Sequence, residues 1–149
     1  MNKIRVTIWN EYLHEKDDPG IAEIYPEGIH GAIKKGIEDD TELEIRLAAL
    51  RDPDQGLPDD VLNNTDVLIW WGHMAHHEVD DALVERIVNR VRRKGMGFIA
   101  LHSAHASKPF GQLVGTTGSL SWGDNYHEFI WTLLPQHPIA KGIGPYIDI

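Results

Sequence analysis

The chain has 149 residues, of which 42% are hydrophobic and 25% charged, and its net charge is −9 at pH 7. This length predicts one domain, residues 1–149, with a substantial core, and the acidic balance argues against nucleic acid or an anionic membrane as a partner. Because there is no cysteine, disulfides, thiolate nucleophiles and thiolate metal sites are excluded. We see neither a signal segment nor an apolar run of membrane-spanning length, so we expect a cytoplasmic protein.

The first half of the chain alternates between strand and helix patterns. A first strand runs over residues 4–9, and a charged loop over residues 15–20 contains the turn-forming sequence Asp18–Pro19–Gly20. A helix then begins near Pro26 and carries an isoleucine at every fourth position. A second strand covers residues 43–50 and completes the first strand–helix–strand unit.

The central stretch of the chain is an unbroken apolar run, Val67–Trp71. Such a run is typical of a strand that is buried on both faces of a parallel sheet, which makes Trp70 and Trp71 core residues. A short helix from Pro58 precedes this strand, a long helix follows it up to Gly95, and residues 98–101 form a fourth strand. The alternation indicates an α/β fold with a doubly wound, mostly parallel sheet.

The remaining segment is less regular. Phe129, Trp131 and Leu133 alternate as in a strand, residues 137–139 predict a turn or short helix, and a further strand begins at Tyr146. An apolar strand without a following helix is an unusual ending, so we expect the chain to be truncated at its C-terminal end.

Polar residues follow the strands at the sheet edge where open α/β proteins bind ligands. They are Asn10, Glu11 and His14 after the first strand, His30 early in the first long helix, His73, His76 and His77 after the third strand, and His102, Ser103 and His105 after the fourth. These segments contain seven of the nine histidines, whereas histidines on a solvated surface would be spread more evenly. A structural role is the simpler explanation for any single histidine, but the group as a whole predicts a functional site.

So many imidazoles favour a divalent, zinc-like metal. Neutral imidazole is the commonest side-chain ligand of zinc, and three protein ligands leave an open position for water or substrate. We predict His73, His77 and His102 as the ligands, with His76, His105 and His14 as alternates. No nucleotide cofactor is indicated.

The other candidates receive catalytic or substrate-binding roles. Glu11 is predicted to be a general base or a partner of the metal ligands, and His102 a catalytic group. The predicted substrate contacts are Asn10, His14, His30, His76 and His105. Without a metal, a histidine beside Glu11 would transfer protons.

Ser103 gives a metal-free alternative. It follows a short buried strand and precedes a predicted helix, as the serine of a nucleophile elbow does, and His102 or His77 would be its base. The flanking sequence L-H-S-A-H lacks the small residues that normally permit the strained turn, which makes this alternative the weaker one.

Five segments, in this order, carry a resemblance to a known family: VTIWNEYLHEK, IYPEGIHGAI, DVLIWWGHMAHHEV, GMGFIALHSAH and HPIAKGIGPYI. Together they resemble the trehalose utilisation (ThuA-like) family through almost the whole chain. The resemblance implies a flavodoxin-like fold of the class I glutamine-amidotransferase type and a bacterial role in using trehalose or related disaccharides. Amidotransferases of this type carry a cysteine where this chain has His102–Ser103, so their glutaminase chemistry does not carry over.

We therefore expect a metal-assisted enzyme of carbohydrate catabolism that hydrolyses or isomerises a disaccharide derivative, including keto sugars. Its partner would be a small sugar, with association into a homo-oligomer left open. The two alternatives are a non-catalytic sugar-binding or regulatory protein on the same fold and a metal-free Ser103 hydrolase.

Overall fold

The architecture comes from a computed structural model that describes residues 2–121 and 123–149. The strands are β1 (Ile4–Asn10), β2 (Leu43–Ala49), β3 (Val67–Trp71), β4 (Gly97–Leu101), β5 (Phe129–Trp131) and β6 (Tyr146–Asp148). The α-helices are α1 (His14–Asp17), α2 (Pro19–Ile24), α3 (Gly28–Ile37), α4 (Asp59–Asn63), α5 (Asp81–Lys94) and α6 (Lys108–Val114). Short 3₁₀ helices cover Pro53–Gly56, His76–Glu78, His102–Ala106 and Pro138–Ala140. The chain divides into two compact units, one ending at Ser119 and the other comprising Leu120–Ile149.

The first unit contains a parallel four-stranded sheet in the order β2–β1–β3–β4. The chain moves from β1 to β2 on one side and then crosses to β3 on the other, so β1 and β3 flank the point at which the winding reverses. Ligands of open α/β sheets bind at the carboxyl ends of the strands at such a point. The predicted parallel α/β fold is confirmed.

Helices cover both faces of this sheet, as a doubly wound fold requires. On one face, Ile33 and Ile37 of α3 contact the cluster formed by Val6, Ile8 and Ile69. On the other face, residues of α4 and α5 bury the larger core against Trp9, Leu68 and Trp70. The central strand β3 therefore carries no polar residue, because both of its faces are enclosed.

The core is centred on two tryptophans from neighbouring strands. Trp9 of β1 and Trp70 of β3 are partners in the sheet register, both are fully buried, and their rings stack at 3.7 Å between centroids. The indole Nε1 of Trp9 donates to the carbonyl oxygen of Gln55, which satisfies its polar atom inside the core. The expected core role of Trp70 is confirmed, and Trp71 is half-buried at the carboxyl end of the strand.

The segment predicted as a charged loop is helical instead. Asp18 is the N-cap of α2, where its Oδ1 accepts from the amides of Gly20 and Ile21, and Pro19 occupies the first turn. An aspartate followed by proline is a favourable helix start as well as a turn signal, because proline fixes a helical φ and lacks only an amide that is unpaired there. The prediction of a loop at residues 15–20 was wrong.

The second unit is a small antiparallel pair of strands. Phe129 pairs with Asp148 and Trp131 with Tyr146. Leu133, which was predicted to continue the strand, lies beyond its end. Among the described residues, no helix combines the length and the apolar character needed to cross a membrane.

An ion pair joins the beginnings of β1 and β3. The guanidinium of Arg5 donates through Nε and Nη2 to the two carboxylate oxygens of Asp66, at 2.9 and 2.7 Å, and the Arg5 amide donates to the same carboxylate. These hydrogen bonds lower the pKa of Asp66 to about 2, from an ordinary value of 3.8. A bidentate arrangement of this kind is the favourable case among exposed ion pairs.

The substitution Asp66→Asn is therefore expected to lower the free energy of unfolding by about 1 kcal/mol at pH 7. The effect is small because both side chains are about 40% exposed, and solvent screens the ion pair. Since the folded pKa is the lower one, this stabilisation is complete above pH 3.8 and disappears as the pH falls through about 2. Urea unfolding at several pH values measures it, with Asp39→Asn as an exposed control. An effect of equal size at pH 7 and at pH 2 would contradict the role of the carboxylate charge.

Candidate functional site

Glu11 is the first residue after β1, and it is buried with 1% of its surface exposed. Its Oε2 accepts from the amide of Met74 at 2.7 Å, and its Oε1 accepts from the amide of Ala75 at 2.9 Å. Both amides belong to the loop that follows β3. The carboxylate therefore ties together the two strand ends at the point where the sheet winding reverses, and its buried charge is compensated by two backbone donors.

His76 lies against this carboxylate. Its Nδ1 is 3.7 Å from Oε1 of Glu11, and its side chain is mostly buried. Burial lowers the pKa of His76, while the negative charge of Glu11 opposes that shift. His73 and His105 are close enough that positive charge on either would lower the pKa of His76 further. The result is an imidazole that is neutral at pH 7 with an anion beside it, which is the arrangement of a general base.

His14 and His73 form a second contact across the same edge. Their rings stack with 5.3 Å between centroids, and the ring of His73 also lies 6.1 Å from that of Trp71. His14 belongs to α1, after β1, whereas His73 belongs to the loop after β3. The structure thus places His14, His73 and His76, three predicted site residues, around the ends of the two central strands.

Asn10 and His30 lie on the opposite side of β1 from Glu11. Side chains alternate along a strand, so Asn10 points to the α3 side with Ile8, and Glu11 points to the α5 side with Trp9. Asn10 is fully buried and its Nδ2 lies 3.1 Å from Nδ1 of His30. Burial lowers the pKa of His30, against an opposing effect of Glu15, so this imidazole is neutral at pH 7.

Glu15 joins the Asn10–His30 pair, and sequence reasoning missed it. It is only 4% exposed, and its Oε1 accepts from Nδ2 of Asn10 and from the amide of Ile29, each at 2.7 Å. The residue stands in a charged segment whose composition indicates a solvated loop, so no local pattern separated it from the exposed acids around it. The one signal in the sequence was the position of Glu15 shortly after the end of β1. Using that signal would have required a correct prediction of α1.

His102 and Ser103 are the first residues of the 3₁₀ helix that directly follows β4. His102 has a φ of +48°, in the left-handed region that a residue with a side chain seldom adopts. The strained position of this turn is therefore occupied by His102 rather than by Ser103. The Oγ of Ser103 is buried and has no hydrogen-bond partner among the described residues, so neither His102 nor His77 is hydrogen-bonded to it as a base.

A Ser103→Ala variant is accordingly expected to keep turnover within about twofold of the unsubstituted protein, because a serine nucleophile needs a base within hydrogen-bond reach. Steady-state kinetics on a keto-disaccharide measure this. A complete loss of turnover together with a covalent adduct on Ser103, detected by mass spectrometry, would establish the serine-hydrolase alternative.

His105 is held in one tautomer by the backbone. Its Nδ1 is in hydrogen-bond contact with the carbonyl oxygen of Gly118, and because a carbonyl only accepts, the proton must be on Nδ1. In the neutral ring the Nε2 lone pair then remains available to accept a proton or to bind a metal.

The predicted metal ligands do not converge as a set of three. All three are exposed, and only His73 lies in the cluster just described. In residues 2–121 and 123–149, no three histidine, aspartate or glutamate side chains are arranged to hold an ion. As placed, the residues do not fit a complete metal site, and the metal stays a prediction.

Comparisons with known proteins identify the family of the chain. The sequence profile of the ThuA family, described as trehalose utilisation, matches residues 5–149. A search of curated proteins finds no match.

Proposed function

The chain belongs to the ThuA family of trehalose utilisation, and we propose that it is an enzyme that acts on a carbonyl-bearing disaccharide derived from trehalose or a related sugar. The observation that carries the proposal is the Glu11–His76 pair. A buried carboxylate held by two amides stands 3.7 Å from a neutral imidazole, at the edge where this fold binds ligands.

This pair supports proton transfer. His76 in its neutral form accepts a proton, either from the carbon next to a sugar carbonyl in an isomerisation or from water in a hydrolysis. Glu11 then stabilises the imidazolium that forms, because its negative charge is fixed beside Nδ1 by the amides of Met74 and Ala75. The same pair returns the proton as an acid in the second half of either reaction.

The neighbouring groups suit a sugar. His30 on one side of β1, and His73 and His14 across the edge, supply hydrogen-bonding groups of the kind that hydroxyl-rich ligands require. The half-buried ring of Trp71 beside His73 adds an apolar face at the same edge.

Turnover by the purified full chain tests the proposal and separates an enzyme from a sugar-binding protein. Trehalose, its keto derivatives and those of related disaccharides are incubated with the protein, and products are followed by NMR. We expect conversion of a keto-disaccharide that is lost in His76→Ala and kept in His137→Ala, which removes an imidazole of the other unit. Saturable sugar binding without conversion of any of these compounds would show the sugar-binding alternative instead.

A divalent metal is a separate part of the proposal, and the proton-transfer steps above do not depend on it. We expect close to one zinc-like ion per chain in protein purified without chelator, released by mild acid as the imidazoles become protonated. Elemental analysis of the unsubstituted protein and of His73→Ala measures this. Active protein that carries no metal and is unaffected by chelator would remove the metal from the mechanism.

A further inference from the structure

The hydrogen bonds of Asn10 determine the orientation of its amide without ambiguity. Its Oδ1 accepts from the amide of Tyr12 at 3.0 Å, and its Nδ2 donates to the carboxylate of Glu15 at 2.7 Å. If the amide were flipped, its NH₂ group would face the N–H donor of Tyr12, and its oxygen would face the acceptor oxygen of Glu15. Neither pair could form a hydrogen bond. The nitrogen of Asn10 therefore has to face Glu15, and its second hydrogen is the one directed to His30.

This orientation decides which nitrogen of His30 carries the proton. Nδ1 of His30 lies 3.1 Å from Nδ2 of Asn10, a group that only donates, so Nδ1 has to accept. In a neutral imidazole the proton is then on Nε2. Burial lowers the pKa of His30, which keeps the ring neutral at pH 7.

We propose that Glu15 is a positioning residue of the site, which acts through Asn10 to hold His30 as the tautomer with its proton on Nε2, a hydrogen-bond donor for a sugar oxygen. Oε1 of Glu15 is the acceptor that fixes the amide, and it also accepts from the amide of Ile29 in the first turn of α3. The buried carboxylate is stabilised there by the positive end of the α3 dipole. The use of His30 by a sugar rests on the proposed function, whereas the tautomer does not.

The tautomer is read directly from a two-bond ¹H–¹⁵N spectrum of the full chain at neutral pH. We expect the unsubstituted protein to show His30 with Nδ1 unprotonated. Glu15→Met removes the acceptor and is expected to produce a measurable population with the proton on Nδ1. Glu15→Gln keeps an acceptor oxygen for both Asn10 and Ile29, and is expected to restore the Nε2 tautomer.

Asn10→Asp is a second variant that does not depend on how Glu15→Met folds. The new carboxylate shares one proton with Glu15, since two carboxylates in contact do not both ionise, and it can only accept from His30. The proton of His30 is therefore expected to move to Nδ1, and the KM for the sugar to rise about tenfold for the loss of one hydrogen bond. Asn89→Asp, on the exposed side of α5, is the charge-matched control.

Three results would overturn the proposal: His30 protonated on Nδ1 in the unsubstituted protein, a tautomer unchanged by Asn10→Asp, or a flipped tautomer with an unchanged KM. If Glu15 only capped α3, Glu15→Met would lower the stability without moving the His30 proton. If the unsubstituted chain converts and binds no sugar, the proposed function fails, and the spectrum still decides the role of Glu15.

Discussion

Replacing Glu11 with alanine is expected to lower the free energy of unfolding by about 3 kcal/mol, because two charge-assisted hydrogen bonds are lost and a buried amide is left unpaired. The carboxylate is 1% exposed and Ala75 is 2% exposed, so water does not readily replace the carboxylate at the amide of Ala75. Glu11→Gln retains one acceptor oxygen and is expected to cost about half as much. Urea unfolding at pH 7 measures both variants.

Glu85→Ala is the matched control for this comparison, since Glu85 is an exposed glutamate of α5. Its unfolding free energy is expected to change by less than about 0.5 kcal/mol. A Glu11→Ala protein as stable as the control would show that the loop after β3 does not depend on this carboxylate. The proposed position of His76 would then lose its support.

His76→Gln is expected to lower kcat/KM by about 100-fold to 10,000-fold, the usual contribution of a general base. Glutamine preserves hydrogen-bonding capacity and similar volume but does not take up a proton, so the loss reports on proton transfer. In the unsubstituted enzyme, the acidic limb of the pH–rate profile is expected below the ordinary histidine value of 6.5, because burial lowers the pKa of His76.

The sign of a second change follows from the same contacts. Glu11 raises the pKa of His76 against the effect of burial, so Glu11→Gln is expected to move the acidic limb to still lower pH. Kinetics between pH 4.5 and pH 8 measure both profiles, with His137→Gln as the control for imidazole loss elsewhere. A profile that is unchanged in Glu11→Gln would exclude His76 as the group that titrates.

The fold was predictable from the sequence because its signals are local. The apolar run of Val67–Trp71 records burial on both faces of a strand, and the stripe of α5 records burial on one face of a helix. Their alternation is enough to indicate a parallel sheet, whose strand ends then meet at one edge. The resemblance to the ThuA-like family pointed to the same fold, and the family match over residues 5–149 confirmed the resemblance.

What only the tertiary structure decided is which of the edge residues meet. Asn10 and Glu11 are neighbours in sequence, but the alternation of β1 sends them to opposite faces, one to His30 and the other to His76. His76 and His77 are also neighbours, and the 3₁₀ turn buries one beside Glu11 while exposing the other.

Glu15 resembled a solvated charge because burial of a carboxylate depends on donors from distant segments, Asn10 and Ile29, which no local pattern encodes. The sequence by itself determined the edge at which the site lies. The paths of the loops determined its members, because hydrogen bonds between segments far apart in the chain leave no periodic signal in either of them.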